Sequence, residues 1–202
     1  MTKIIGITGG IGSGKTKICD YLKKNNFTVH ESDRVVAQMY NKPNKSFLIF
    51  LKKNISKEVV RNNGINKKKI TDIIFNNSKT RKTLEDYVHK QVKITRDIFI
   101  KKNTKNKKGV VFIDIPLLFE KKLEKPFDAV LCVIAKKKIR RERVLKNKKF
   151  TKNILEKIFK SQISDDERKR KSNMVIYNNT TKKDFIFSLE KALISLLKWE
   201  RL

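Results

Sequence analysis

Two cysteines in 202 residues leave no material for a disulfide framework, and two isolated thiols give no metal-ligand spacing. Cys19 falls on an apolar helical face and Cys132 in an apolar strand, so both are expected as reduced core residues. No apolar run approaches the roughly 20 residues that cross a bilayer, so no membrane role is expected. With the first strand starting at Lys3, a secretory signal is not expected either, and the cytoplasm is the expected compartment. The guanine-reading N-K-x-D pattern, internal repeats and a stacking cluster of aromatics are all missing. Glycine is scarce as well. Only seven are present, and five of them lie between Gly6 and Gly14.

Acidic residues are few. Twenty Asp and Glu face fifty Lys and Arg, a formal net charge of +30. Such a balance points first to nucleic acid. The lysines, however, are spread over nearly every expected helix and loop instead of forming a tail or stripe. Paired asparagines at 25–26, 62–63, 76–77 and 178–179, with abundant isoleucine, fit a compositional bias of the coding sequence. Part of the field could steer an anionic small molecule. No nucleic-acid partner is expected, although a basic NTPase stimulated by nucleic acid is the rival that the charge keeps open.

What is present is concentrated near the amino terminus. Gly9-x-x-x-x-Gly14-Lys15-Thr16 is a complete phosphate-binding loop, G-x-x-x-x-G-K-[ST]. Glycines allow positive φ, so successive N–H groups of Gly10, Ile11, Gly12, Ser13 and Gly14 can approach phosphate oxygens. Lys15 adds a positive charge for β- and γ-phosphates, and the Thr16 hydroxyl is the expected protein ligand of Mg²⁺. The context is strand–loop–helix: Lys3–Thr8 is β-branched and apolar, while Ile18, Cys19 and Leu22 share one face afterwards.

Further strands are expected at Phe27–His30, Gly109–Asp114, Ala129–Ala135 and Met174–Tyr177. Between the second and third, residues 34–106 carry helical spacing throughout, in Val35, Val36 and Met39, then Phe47–Leu51, Ile70, Ile73 and Ile74, and Leu84, Val88, Val92 and Phe99. This segment is expected as an all-helical insertion. A basic helical stretch, Lys136–Lys149, and a helix opened by Thr151 form a lid region over 136–162. Ser164-Asp165-Asp166-Glu167 has the capping-box pattern, and the last helix spans Lys182–Trp199. The fold class is therefore α/β: one domain over 1–202, with a five-stranded parallel sheet flanked by helices. In such sheets ligands gather beyond the C-terminal strand ends, where the loop, Asp33 and Asp114–Glu120 all fall.

A short chain with an acid after the second strand and a basic lid fits a small-molecule kinase. Phosphoryl transfer needs positioning and charge neutralisation above all. Asp33 reads as the acid that accepts the acceptor's proton or helps hold Mg²⁺, with N-capping of the next helix as the alternative role. Arg140, Arg141 and Arg143 lie on the lid helix. Asp114 has two readings, Mg²⁺ holder and structural cap, and the role of Glu120 is open.

Beyond the generic loop, the sequence resembles the dephospho-coenzyme A kinase family, P-loop small-molecule kinases. The similarity runs from Gly6–Thr16 through Val29–Asp33, Gly64–Phe75, Arg81, Leu84-Glu85 and His89. It continues in Asp114-Ile115-Pro116-Leu117-Leu118-Phe119-Glu120, Arg143-Val144, Gln162 and Val175-Ile176 with Asn178-Asn179. Glu31 and Ser32 depart from the family's usual Asp and Ala, Lys90 stands in place of a proline, and Asn147 in place of a second lid arginine. The resemblance implies ATP-dependent phosphorylation of the ribose 3′-hydroxyl of dephospho-coenzyme A, with Mg²⁺. It implies catalytic roles for Asp33, Lys15 and Arg143, acceptor contacts from Thr8, Asp33, His89 and Leu117, and substrate binding by the helical insertion; for His89 a hydrogen-bonded structural role is the alternative. A monomer or weak homo-oligomer is expected. A kinase of the nucleoside or nucleotide class is the alternative that shares the same loop and lid.

Overall fold

Ile4–Gly9 is apolar but for Thr8 and closed by glycine; with Lys3 it forms β1 (Lys3–Gly9), buried from Ile5 to Gly9, as a central parallel strand must be. In the computed structural model, which describes residues 1–62, 64–147 and 150–198, β1 is the middle strand of a five-stranded sheet. The others are β2 (Thr28–Glu31), β5 (Val110–Asp114), β6 (Ala129–Ile134) and β7 (Met174–Tyr177), in the order β2-β5-β1-β6-β7. β1 pairs in parallel with β5 and β6, placing Ile7 opposite Asp114 and Gly9 opposite Val133. β6 pairs in parallel with β7, with Cys132 opposite Val175. All five expected strands are therefore present, shifted by at most one residue at an end.

Two compact units make up the chain. The first, Met1–His30 with Lys102–Leu202, is built on the sheet. α1 (Lys15–Lys24) and α9 (Lys182–Lys198) press Ile18, Cys19, Leu22, Phe185, Leu189, Leu193 and Leu196 against Ile5, Ile7, Phe112, Leu131 and Val133. Both cysteines are buried and free, as expected. Phe27 sits one residue before β2 but still packs edge-on to Phe112, with ring centroids 5.5 Å apart. α6 (Lys137–Lys146), α7 (Lys152–Ser161) and α8 (Asp165–Lys171) follow β6. The expected basic helix ends earlier than Lys149; residues 148–149, and Trp199 at the end of α9, lie outside the described residues. Thr151 and Ser164 cap α7 and α8, the latter by accepting from Glu167 N–H at 3.1 Å.

The second unit, Glu31–Lys101, has its own core. α2 (Ser32–Asn41), α3 (Lys45–Asn54), α4 (Lys67–Asn76) and most of α5 (Ser78–Lys105) enclose Phe47, Leu51, Val59, Ile70 and Leu84. Tyr87 stacks on Phe50 at 3.9 Å and on Phe47 at 5.6 Å between centroids. The all-helical expectation needs one correction. Val60–Arg61 (β3) and Gly64–Ile65 (β4) pair antiparallel through a turn in which Asn62 has φ 45°. Asn62-Asn63-Gly64 is a hairpin signal, and positive φ at asparagine or glycine is what such a turn requires.

Candidate active site

The phosphate loop leaves β1 at Gly9 and feeds α1 at Lys15. Gly9, Gly12 and Gly14 have φ of 151°, 74° and 111°, conformations that favour glycine. Side chains there are excluded for space as well: a Cβ on Gly9 would strike the Val133 carbonyl and one on Gly14 the Asn178 amide. The loop is braced internally by Ser13 N–H on Gly10 O at 3.1 Å. No side chain caps α1. The N–H groups of Gly12, Gly14 and Lys15 have no acceptor among the described residues; for Gly14 and Lys15 the start of α1 dictates this. Lys15 Nζ lies back across the loop on the Gly9 carbonyl at 3.1 Å. Thr16 is exposed in the first turn of α1, and the Ser13 hydroxyl is buried without a hydrogen-bond partner. The result is an amide-lined cradle with a cation beside it, at the positive end of a helix dipole.

Three residues distant in sequence hold this cradle. Asn178, at the exit of β7 and 2% exposed, donates its side-chain N–H to Ser13 O at 2.7 Å. Arg143 Nη2 on α6 donates to both the backbone and side-chain oxygens of Asn178, at 3.1 and 3.2 Å, while its Nη1 is buried without a hydrogen-bond partner. Gln162, just after α7, accepts from Ile11 N–H at 3.1 Å. Arg141 joins the two lid helices by donating to Glu156 at 2.6 and 3.0 Å, and that hydrogen bond holds the Glu156 carboxyl below its ordinary pKa.

Behind them runs a chain of buried and half-buried charges. Glu120 accepts from Arg168 at 2.8 Å and from Ile163 N–H at 3.2 Å. Arg168, 1% exposed, also donates to Asp165 at 3.1 Å, and Asp165 accepts from Arg140 at 3.0 Å. Burial lowers the pKa of Arg140, with Asp165 opposing the shift. Glu120 thus anchors buried Arg168, which is joined to Arg140 through Asp165. A cavity of about 350 Å³ opens beside this chain, lined by Lys137, Arg140, Phe159 and Gln162 among others.

The remaining sites fall as follows. Thr8 is buried at the end of β1, its hydroxyl without a hydrogen-bond partner. Asp114 is 6% exposed at the end of β5, and Leu117 is 36% exposed in the turn after Pro116. Asp33 and His89 belong to the second unit and are both exposed, Asp33 on α2 and His89 on α5. Asp33 is not the N-cap of α2. That position is Glu31, so the Asp33 carboxylate sits in the first turn, where the helix dipole favours it without a capping bond. The structure therefore brings together the loop, Arg143, Asn178 and Gln162 in the first unit. Arg140 also lies against the loop, where a Cβ on Gly10 would strike its guanidinium; this proximity had no sequence signal, because the two are about 130 positions apart.

A parallel β2-β5-β1-β6-β7 sheet with a phosphate loop after β1 and helical insertions defines a P-loop kinase. Comparison with known proteins narrows the class. A family model described as dephospho-CoA kinase matches residues 3–184. A Fusobacterium nucleatum dephospho-CoA kinase is 33% identical over 190 residues, covering 93% of this chain and 95% of that one. One from Rickettsia conorii is 31% identical over 194 residues, covering 96% and 95%. A Thermus thermophilus crystal structure superposes with TM-score 0.77 at 25% identity, covering 98% and 99% of the two chains. A Campylobacter jejuni dephospho-CoA kinase shares the fold, with TM-score 0.73 at 21% identity and 98% coverage of each chain. The chain belongs to the dephospho-CoA kinase family.

Proposed function

We propose that this protein transfers the γ-phosphoryl group of ATP to the ribose 3′-hydroxyl of dephospho-coenzyme A, giving coenzyme A and ADP. The observation that carries the reading is the family match over residues 3–184 on a chain whose phosphate loop is intact in sequence and geometry. The unpaired amides of Gly12, Gly14 and Lys15 fit phosphate oxygens, and the Lys15 ammonium needs only to leave Gly9 O to reach the β/γ-phosphates. The exposed Thr16 hydroxyl fits a Mg²⁺ ligand. A Mg²⁺ held there by Thr16 and the nucleotide would neutralise phosphate charge during the transfer.

In this reading the acceptor oxygen forms a bond to the γ-phosphorus while the bond from that phosphorus to the β–γ bridging oxygen breaks. Asp33 takes the hydroxyl proton. Arg143, with its Nη1 unpartnered, supplies charge to the transferring group. Thr8, His89 and Leu117, with the helical second unit, would contact the acceptor. Offering the purified protein ATP with dephospho-coenzyme A, adenosine or nucleoside monophosphates tests the reading. Turnover with the first at least a hundredfold above the others is expected; preference for a nucleoside or nucleotide acceptor overturns it.

A further inference from the structure

Gly10 poses a question that backbone conformation does not answer. Of the four glycines in the loop, only Gly9, Gly12 and Gly14 require positive φ. At Gly10 an ordinary side chain would fit the backbone, yet a Cβ there would collide with Arg140 Nη1 and lie 3.2 Å from its Cζ and 3.3 Å from Gln162 Oε1. The space that alanine would need is filled by a guanidinium. The neighbouring amide, Ile11 N–H, is held by the same Gln162. At Gly12 the backbone of Arg140 itself is the neighbour, its carbonyl 2.8 Å from an added Cβ.

We infer that Arg140 is a positioning residue for the phosphate loop, a buried guanidinium against which Gly10–Gly12 is seated. Asp165 fixes the far side of that guanidinium at 3.0 Å, and Arg168 and Glu120 fix Asp165 in turn. Arg140 and Arg168 are 6% and 1% exposed, so neither can swing into water without breaking the chain. The alternation Glu120, Arg168, Asp165, Arg140 leaves no net charge to expel the group. Phe159 stacks near the same guanidinium, with Cζ 5.2 Å from the ring centroid. An arginine is needed here because its planar fork can meet Asp165 with one nitrogen while presenting another to the loop; a lysine cannot. The residue acts through the loop and does not itself touch the transferred group.

The inference rests on the loop binding nucleotide phosphate, and the test separates the two. ATP affinity is measured by titration calorimetry, without any acceptor, for wild type, Arg140→Gln, Arg140→Lys and Gly10→Ala. Thermal midpoints are measured for these and for Arg140→Ala and the double variant Gly10→Ala/Arg140→Ala. Arg140→Gln and Arg140→Lys are each expected to weaken ATP roughly tenfold, about 1.4 kcal/mol. Gly10→Ala is expected to lower the midpoint in the wild-type background and to cost much less once Arg140 is alanine. Wild-type ATP affinity in the folded Arg140 variants, with only their stability lowered, would overturn the positioning role. So would additive midpoints in the double variant. A wild type that binds no ATP would count against the nucleotide reading, while the thermal cycle would still decide the Gly10–Arg140 contact.

Discussion

Asn178 and Ser13 are 165 positions apart in sequence, yet the Asn178 amide donates to the Ser13 carbonyl at 2.7 Å, tying the exit of β7 to the phosphate loop. The same asparagine receives both hydrogen bonds of Arg143 Nη2. One buried carboxamide therefore registers the loop against the lid helix. Replacing it with alanine leaves the Ser13 carbonyl unpaired and Arg143 Nη2 with only the backbone oxygen of residue 178. Asn178→Ala is expected to cost about 1–3 kcal/mol of folding stability and to weaken ATP binding. Denaturant unfolding and nucleotide titration check this, and an Asn178→Ala protein with wild-type values in both would show that the tie is incidental.

Lys15 rests on Gly9 O, a contact available only while no phosphate competes for its ammonium. Lys15→Ala should leave the fold intact, since the residue is half-exposed and contributes one neutral-acceptor hydrogen bond. Turnover should fall at least a hundredfold, because an Mg·ATP complex loses its only loop cation. Circular dichroism and steady-state kinetics together separate this outcome from simple unfolding.

Cys132 makes a prediction about pH. Burial pushes its thiol up from 9.0 to about 11, against smaller opposing effects from Ser172 and Arg168. The folded protein thus holds a proton that the unfolded chain gives up near its ordinary value. The contribution to stability is complete below about pH 9 and is lost as pH rises toward 11. Unfolding free energy measured from pH 8 to 11 should fall more steeply for wild type than for Cys132→Ala. In the native state at pH 8 a thiol reagent should modify Cys132 far more slowly than in denaturant.

Much of the sheet was legible because central parallel strands are apolar on both faces, and Ile4-Ile5, Val111–Ile113 and Val130–Val133 leave little else to read. Caps at Thr151 and Ser164 were legible for the same local reason. The β3–β4 pair was not: its strands have two residues each, too short for any period, and helical patterning on both sides outweighed the Asn-Gly turn signal. Phe27 read as strand together with Thr28–His30, but after the turn at Asn26, with φ 62°, the Phe27 N–H is committed to Leu22 O instead. In the site, the loop and the lid arginine could be named from motif and resemblance. The role of Glu120 could not, since its partner Arg168 lies 48 positions away and becomes visible only when α8 is folded. Asp33 read as a reactive acid with N-capping as the alternative; its place in the first turn of α2, after the Glu31 cap, removes that alternative.

An exposed carboxylate that makes no capping bond has little to offer the fold, so Asp33→Asn is expected to keep the thermal midpoint and ATP affinity. It should lose at least a hundredfold in turnover with dephospho-coenzyme A, as the loss of a general base does. A variant with wild-type turnover would remove Asp33 from the reaction.

The most direct measurement is phosphorus NMR of the products after incubation of wild-type protein with Mg·ATP and dephospho-coenzyme A. One new phosphomonoester on the ribose 3′-oxygen should grow in step with ADP. ADP with free phosphate and no ester, or an ester at the 2′-oxygen, would contradict the proposed transfer.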